Sequence, residues 1–175
     1  MSRQDRVDHI RMVPQDGFLF GGSVADNVAM GHPNTTDEEV AASFRRLDLQ
    51  WWVERLPDGL ETYVGERGES LSVGERQLVA LARAQVGNPG LLILDEATSS
   101  VDPETEQALA RALDRLAEGR TTISIAHRLS TAERADVVYV FDQGKIVEFG
   151  HHDELVGFGG VYAGLYESWL GNTRV

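Results

Sequence analysis

A chain of 175 residues has room for one ordinary domain, and folding removes roughly 70% of its extended surface from water. Hydrophobic residues at 42% and charged ones at 25% are globular proportions, which exclude a disordered tail or a collagen-like repeat. The net charge of -12 argues against a nucleic-acid grip, no apolar run approaches the ~20 residues that cross a bilayer, and no signal-peptide pattern opens the chain. With no cysteine there are no disulfides, iron–sulfur clusters or thiolate zinc sites, a composition that suits the cytosol. Fifteen of the sixteen basic residues are arginine, so any chemistry that needs a lysine must use Lys145.

In chain order, the apolar run 10–13 ends at Pro14-Gln15 and reads as a strand entering a loop. Thr36 and Glu39 have capping-box spacing before Val40, Phe44 and Leu47, which predicts a helix over 37–49. Pro57-Asp58-Gly59 is a turn. Ser72 and Glu75 repeat the capping-box spacing, and Leu78, Leu81, Ala82 and Val86 line one face of a helix that stops at Asn88-Pro89-Gly90. Residues 91–94 are continuously apolar, the pattern of a strand buried on both faces, and Asp95-Glu96 follows. Asp102-Pro103-Glu104 is an N-cap, a proline at the first helical position and an acid in the first turn, predicting a helix to Glu118 that stops at Gly119. Residues 121–126 form a β-branched strand leading into His127. Residues 137–147 read as strand, turn at Asp142-Gln143-Gly144, and strand. Val161, Leu165 and Trp169 mark a short amphipathic helix. Strands alternating with helices imply an α/β fold with a mainly parallel sheet, and residues 18–86 read as a helical insertion between strand signals.

Three places offer chemistry. Two carboxylates at the end of a buried strand stand where open α/β sheets bind ligands, and alternation sends their side chains opposite ways. One of Asp95 and Glu96 could hold a magnesium ion, usually through water, and the other could orient or deprotonate an attacking water; equally, the two acids could serve only solvation before Asp102. Leu71-Ser72-Val73-Gly74-Glu75 is either a plain capping box or a helix tip whose free N–H groups and hydroxyl accept a phosphate, with Gly74 permitting close approach. His127 closes a strand at the sheet edge expected to carry Asp95 and Glu96, and reads as a structural group or as part of that site. His151-His152-Asp153 lacks a third ligand at metal spacing and reads as a helix start, while Trp51-Trp52 reads as packing.

Together these segments resemble, in order, the nucleotide-binding domain of an ATP-binding cassette (ABC) transporter. Val13-Pro14-Gln15 resembles the Q-loop, and residues 71–84 resemble the signature motif with its helix. Residues 91–96 resemble Walker B, Ser99-Ser100-Val101-Asp102 the D-loop, and Ile125-Ala126-His127-Arg128 the switch-histidine loop. Residues 62–68, Thr-Tyr-Val-Gly-Glu-Arg-Gly, are similar to a segment of exporter-type cassettes. The resemblance implies a partial P-loop NTPase (RecA-like) sheet with an inserted helical subdomain. Residues 1–17 and 87–150 would form the partial core, 18–86 the helical subdomain, and 151–175 a helical tail. It implies ATP and Mg2+ as ligands, Glu96 as catalytic base, and Asp95 as metal ligand. Gln15 would sense metal and water, His127 would contact the γ-phosphate, and Leu71 to Glu75 would reach ATP held on the opposite subunit. Its implied partners are a transmembrane domain and a second nucleotide-binding domain, identical or different. Nucleic acid is not among them, and the implied place is the inner face of the cell membrane.

The sequence also departs from the family pattern. Val73 replaces a usual glycine and Glu75 a usual glutamine. The phosphate loop G-x-x-x-x-G-K-[ST] is absent: around Lys145, Tyr139 stands where the first glycine should be and Ile146 where the hydroxyl should be. The family places that loop ahead of the Q-loop, so the N-terminal Walker A portion is expected to be missing and the chain alone inactive. The alternative is a non-catalytic partner that donates only its signature face to a complete cassette. A soluble cassette acting on nucleic acid or in translation fits less well with the acidic charge and the exporter-like segment.

Overall fold

The computed structural model describes residues 6, 9–32, 34–95, 102–126 and 129–172. They fall into two compact units, Met1–Ile125 and Ala126–Val175.

The first unit is built on a parallel sheet of three strands in the order β1-β2-β3: β1 Ile10–Val13, β2 Leu91–Asp95 and β3 Thr121–Ile125. The register pairs Val13 with Leu94 and Asp95 with Ile125, so all three strands end at one edge. Between β1 and β2 lie α1 Val24–Ala29, α2 Asp37–Arg46, α3 Gln50–Arg55 and α4 Val73–Val86; α5 Pro103–Ala117 joins β2 to β3. The predicted α/β layer architecture is thus present, and α4 is its central beam. It packs against β1, α1, α2 and α5, and nine of its fourteen residues are buried. Leu78, Leu81, Leu92, Leu109 and Leu116 join α4, α5 and the sheet in one core, while Phe44, Leu47, Leu49 and Trp52 extend it into the helical region.

The helix predicted over 37–49 is shorter. It stops at Arg46, because Asp48 adopts a left-handed φ of 60°, and α3 begins at Gln50. One face of β2 fits the predicted burial: Leu92 is sealed beneath the helices. Ile93 on the other face is only half-buried, and its neighbours Met12 and Ile123 are exposed at 55% and 53%.

In the second unit, α6 Leu129–Glu133 precedes an antiparallel hairpin of β4 Val138–Asp142 and β5 Lys145–Gly150. Its two turn residues, Gln143 and Gly144, both have positive φ, as a type I′ turn requires. Helix α7 His152–Phe158 begins at the predicted His151 and ends on Gly159 in the left-handed conformation. Helix α8 Val161–Asn172 follows, its first two amides donating to the Glu148 carboxylate. Ala132, Val140, Leu155 and Tyr162 form this unit's own core.

Two helix starts carry an acid dependence. The Thr36 backbone N–H and hydroxyl hold the Glu39 carboxylate below the usual range, and the Thr105 backbone N–H does the same for Asp102 at the head of α5. Lowered folded-state values stabilise the protein above about pH 4 and lose that contribution as pH falls through the folded values. Urea midpoints measured from neutral to about pH 3 should therefore decline less steeply in the variant combining Glu39→Gln with Asp102→Asn than in the wild type.

Candidate functional site

The segment that leaves β1 lies along α4 and is tied to it at three positions, Gln15, Gly17 and Phe18. The Gln77 side chain donates Nε2–H to the Gln15 carbonyl at 2.7 Å. Gly17 is buried against the α4 backbone, where a β-carbon would lie 2.6 Å from the Arg76 carbonyl carbon and oxygen. Arg83 reaches the Phe18 carbonyl at 3.1 Å and the Asn27 carbonyl at 2.7 Å. Asn27 is itself fully buried, takes the Phe20 amide on Oδ1 and donates to the Phe20 and Ser23 carbonyls. Gln77, Arg83 and Asn27 thus supply donors to the Gln15, Phe18 and Phe20 carbonyls, which lie outside the strands and helices, and this fixes a non-regular segment in one path. Burial lowers the Arg83 pKa from its ordinary value. Gln15 itself is exposed beyond the strand end.

At the head of α4, Ser72 and Glu75 form the predicted capping box. Ser72 Oγ accepts the Glu75 amide at 3.2 Å, and Glu75 Oε2 accepts the Ser72 amide at 2.8 Å. The other carboxylate oxygen, Oε1, accepts the indole N–H of Trp52 at 3.1 Å. Leu71 is buried and Arg76 donates to its carbonyl at 2.7 Å, anchoring the tip from below. Gly74 is buried, whereas Ser72 and Val73 face outward. Gly65 and Gly68, in the stretch before the tip, take positive φ of 78° and 75°; a β-carbon on Gly68 would press on Arg76. Beside the tip, Asp16, Gly17, Phe18, Arg67, Val73 and Arg76 line part of a cleft of about 410 Å³.

Asp95 ends β2, half-buried, at the same edge as the Gln15 loop. Among the described residues no group of three or more acids or histidines could enclose a metal by itself. A carboxylate at a sheet edge suits magnesium, which keeps several waters and is completed by substrate phosphates. Asp102 caps α5 through the Thr105 amide at 3.0 Å. Glu96, Ser99, Ser100, Val101 and His127, named from the sequence, lie outside the described residues.

The site thus consists of a strand-end carboxylate, an exposed glutamine on a strapped loop, and a capped helix tip with outward-facing Ser72. The family model described as "ABC transporter" matches residues 1–99. The chain belongs to the ABC transporter family. A probable multidrug resistance ABC transporter ATP-binding/permease protein, YheH of Bacillus subtilis (strain 168), is 45% identical over 174 residues, 99% of this chain and 26% of that protein. A putative ABC transporter ATP-binding protein, exp8 of Streptococcus pneumoniae serotype 4, is 43% identical over 97% of this chain and 29% of its own length. Among solved structures, a bacterial Atm1-family ABC exporter with ATP bound matches with a TM-score of 0.82 at 42% identity, over 92% of this chain and 28% of that one. This ABC family chain therefore spans about a quarter of the length of the curated relatives it matches. Among its described residues, no helix is long and apolar enough to cross a membrane.

The sequence reading missed Trp52, Gln77 and Arg83. Two of them carried a signal: Gln77 and Arg83 are long polar side chains within a helix that is otherwise mostly apolar. Such residues must find partners, and the nearby loop is where they find them. The contact at Gly17 is testable. Gly17→Ala forces its methyl into α4 backbone, so the loop must lift, at a cost of about 2 kcal/mol. A lower urea midpoint, with faster amide exchange at residues 15–18 than elsewhere in the core, is the expected result.

Proposed function

We propose that this chain is part of the ATP-hydrolysing domain of an ABC exporter, coupling hydrolysis to transport across a membrane. The observation that carries the reading is the joint presentation of three features: the Gln15 loop and Asp95 at one sheet edge, and a capped helix tip strapped to that loop. On this reading residues 18–86 act as a helical subdomain carrying the signature tip. Residues 1–17 and 87–150 belong to the RecA-like core, and 151–175 form a tail.

Each residue then has a task. Asp95 would hold magnesium, and Gln15, exposed beyond β1, would sense metal and attacking water. When bound, the ion neutralises charge on the phosphate oxygens. Glu96 would take the proton from the attacking water, and His127 would contact the γ-phosphate. Ser72 uses an oxygen lone pair for the Glu75 amide, which leaves its hydroxyl proton for an acceptor outside. The N–H groups of Val73 and Gly74, in the first turn, have no intrahelical acceptor. Leu71 to Glu75 would thus meet ATP bound to an opposing domain, whether an identical or a different chain, with Ser99 to Asp102 at that contact. A transmembrane domain would be the partner that receives the motion, placing this chain at the cytoplasmic face of the membrane.

Two measurements test this. Joined behind the front part of the YheH nucleotide-binding domain, residues 1–175 should support MgATP hydrolysis. Glu96→Gln in that fusion should slow turnover by about 100-fold or more; an undiminished rate would remove Glu96 from the mechanism. The 175 residues contain no G-x-x-x-x-G-K-[ST] loop, so the chain by itself should bind MgATP weakly and hydrolyse it at background rates. Calorimetry giving micromolar affinity would contradict that second statement.

A further inference from the structure

We propose that Trp52 is a positioning residue for the signature tip, its indole N–H holding the Glu75 carboxylate back from the face that meets phosphate. The proposal rests on the phosphate-facing reading of the tip given above, and adds a residue that reading does not contain.

An acid at the third position of a phosphate-facing helix poses an electrostatic problem. The free amides and the positive end of the dipole attract an anion, and a mobile carboxylate one turn in would compete for those amides and repel the ligand. Here both oxygens of Glu75 are engaged. Oε2 accepts the Ser72 amide at 2.8 Å, a bond any capping box would supply. Oε1 accepts Trp52 Nε1–H at 3.1 Å, from a residue 23 positions earlier on α3. Trp52 cannot easily swing away. It is 4% exposed, its ring lies 5.8 Å from that of Phe44, and it belongs to the main core. A rigid indole, buried in the core and donating one N–H, therefore draws the charge toward α3 and leaves Ser72 and Val73 as the outward surface. A phenylalanine at position 52 would pack much the same way but have no N–H to offer. Glutamine at position 75 would carry no charge to restrain. The tryptophan and the glutamate are two halves of one device.

The test uses the 15N-labelled 175-residue chain at low ionic strength, titrated with sodium triphosphate and followed through the amides of Ser72 to Glu75. Wild type should show saturable shifts at these four amides. Trp52→Phe should raise the dissociation constant about threefold, because the released carboxylate then faces the anion. Adding Glu75→Gln to Trp52→Phe should bring it back to within about 1.5-fold of wild type. Thermal melting of each variant checks that the fold persists. A merely structural Trp52 predicts no such rescue, so a double variant as weak as Trp52→Phe overturns the role, as does a Trp52→Phe chain that binds like wild type. Should Trp52→Phe unfold, the Trp52 indole N–H of the wild-type chain carries the test: slow exchange with solvent is expected, together with a shift of its resonance on Glu75→Gln, and an indole resonance that exchanges freely or does not move overturns the proposal. Absence of any tip shifts in wild type overturns the phosphate-facing reading and this role with it. The Trp52–Glu75 contact would still be visible as an indole N–H resonance moved by Glu75→Gln.

Discussion

The arrangement depends on the burial of α4 together with its polar side chains. A helix with nine of fourteen residues sealed in a core cannot leave Gln77 or Arg83 without partners, since stranding a buried donor costs about 1–3 kcal/mol. The carbonyls of Gln15, Phe18 and Asn27 supply those partners. The irregular segment after β1 equally needs donors, because nothing in a strand or helix provides them. Helix and loop each satisfy what the other lacks, and this reciprocity aligns the Gln15 loop with the head of α4. A disturbance at either end must travel through contacts with little slack, Gly17 against the Arg76 backbone above all.

A second constraint comes from the sheet. Parallel strands in register all terminate at one edge, so side chains eighty positions apart in sequence, Gln15 and Asp95, arrive at the same border without any local device to bring them there. Side-chain alternation then divides the faces. Val13, Leu92 and Leu94 lie on the face under α4 and α5, whereas Asp95 shares the other with Met12, Ile93, Ile123 and Ile125. The carboxylate therefore stands at the rim of the less covered face.

How much of this the sequence disclosed depends on the range of the interaction. Capping boxes are read within four residues, so Ser72–Glu75, Thr36–Glu39 and Asp102 with Pro103 announced three helix starts that the structure contains. Strands β1 and β2 were legible because a short apolar run bounded by Pro14, or by Asn88-Pro89-Gly90, has few other readings. Helix α1 escaped notice although Ser23 and Asp26 form a capping box of the same kind, because its six residues follow two glycines and show no long periodic face. The break at Asp48 was hidden for another reason: aspartate tolerates a left-handed backbone without requiring it, so only packing of Leu47 and Leu49 into the core decides the matter. The links from Gln77 to Gln15 and from Trp52 to Glu75 span 62 and 23 positions, and no window of sequence contains them.

The pair formed by Trp52 and Glu75 shows why a departure from a family pattern is best judged in three dimensions. Read along the chain, Glu75 in place of glutamine puts a negative charge at a tip suited to anions, and counts against the site. In the fold its carboxylate takes one backbone amide and one buried indole N–H, and so belongs to the cap more than to the surface. Charge-assisted hydrogen bonds are roughly twice as strong as neutral ones, so the same substitution that threatens ligand binding tightens the helix start. The tip then has a firmer scaffold, and outward-facing Ser72 retains its hydroxyl proton for a ligand. On the proposed reading, whether an acid there weakens or preserves anion binding depends on a residue of another helix, Trp52, as well as on its own place in the motif.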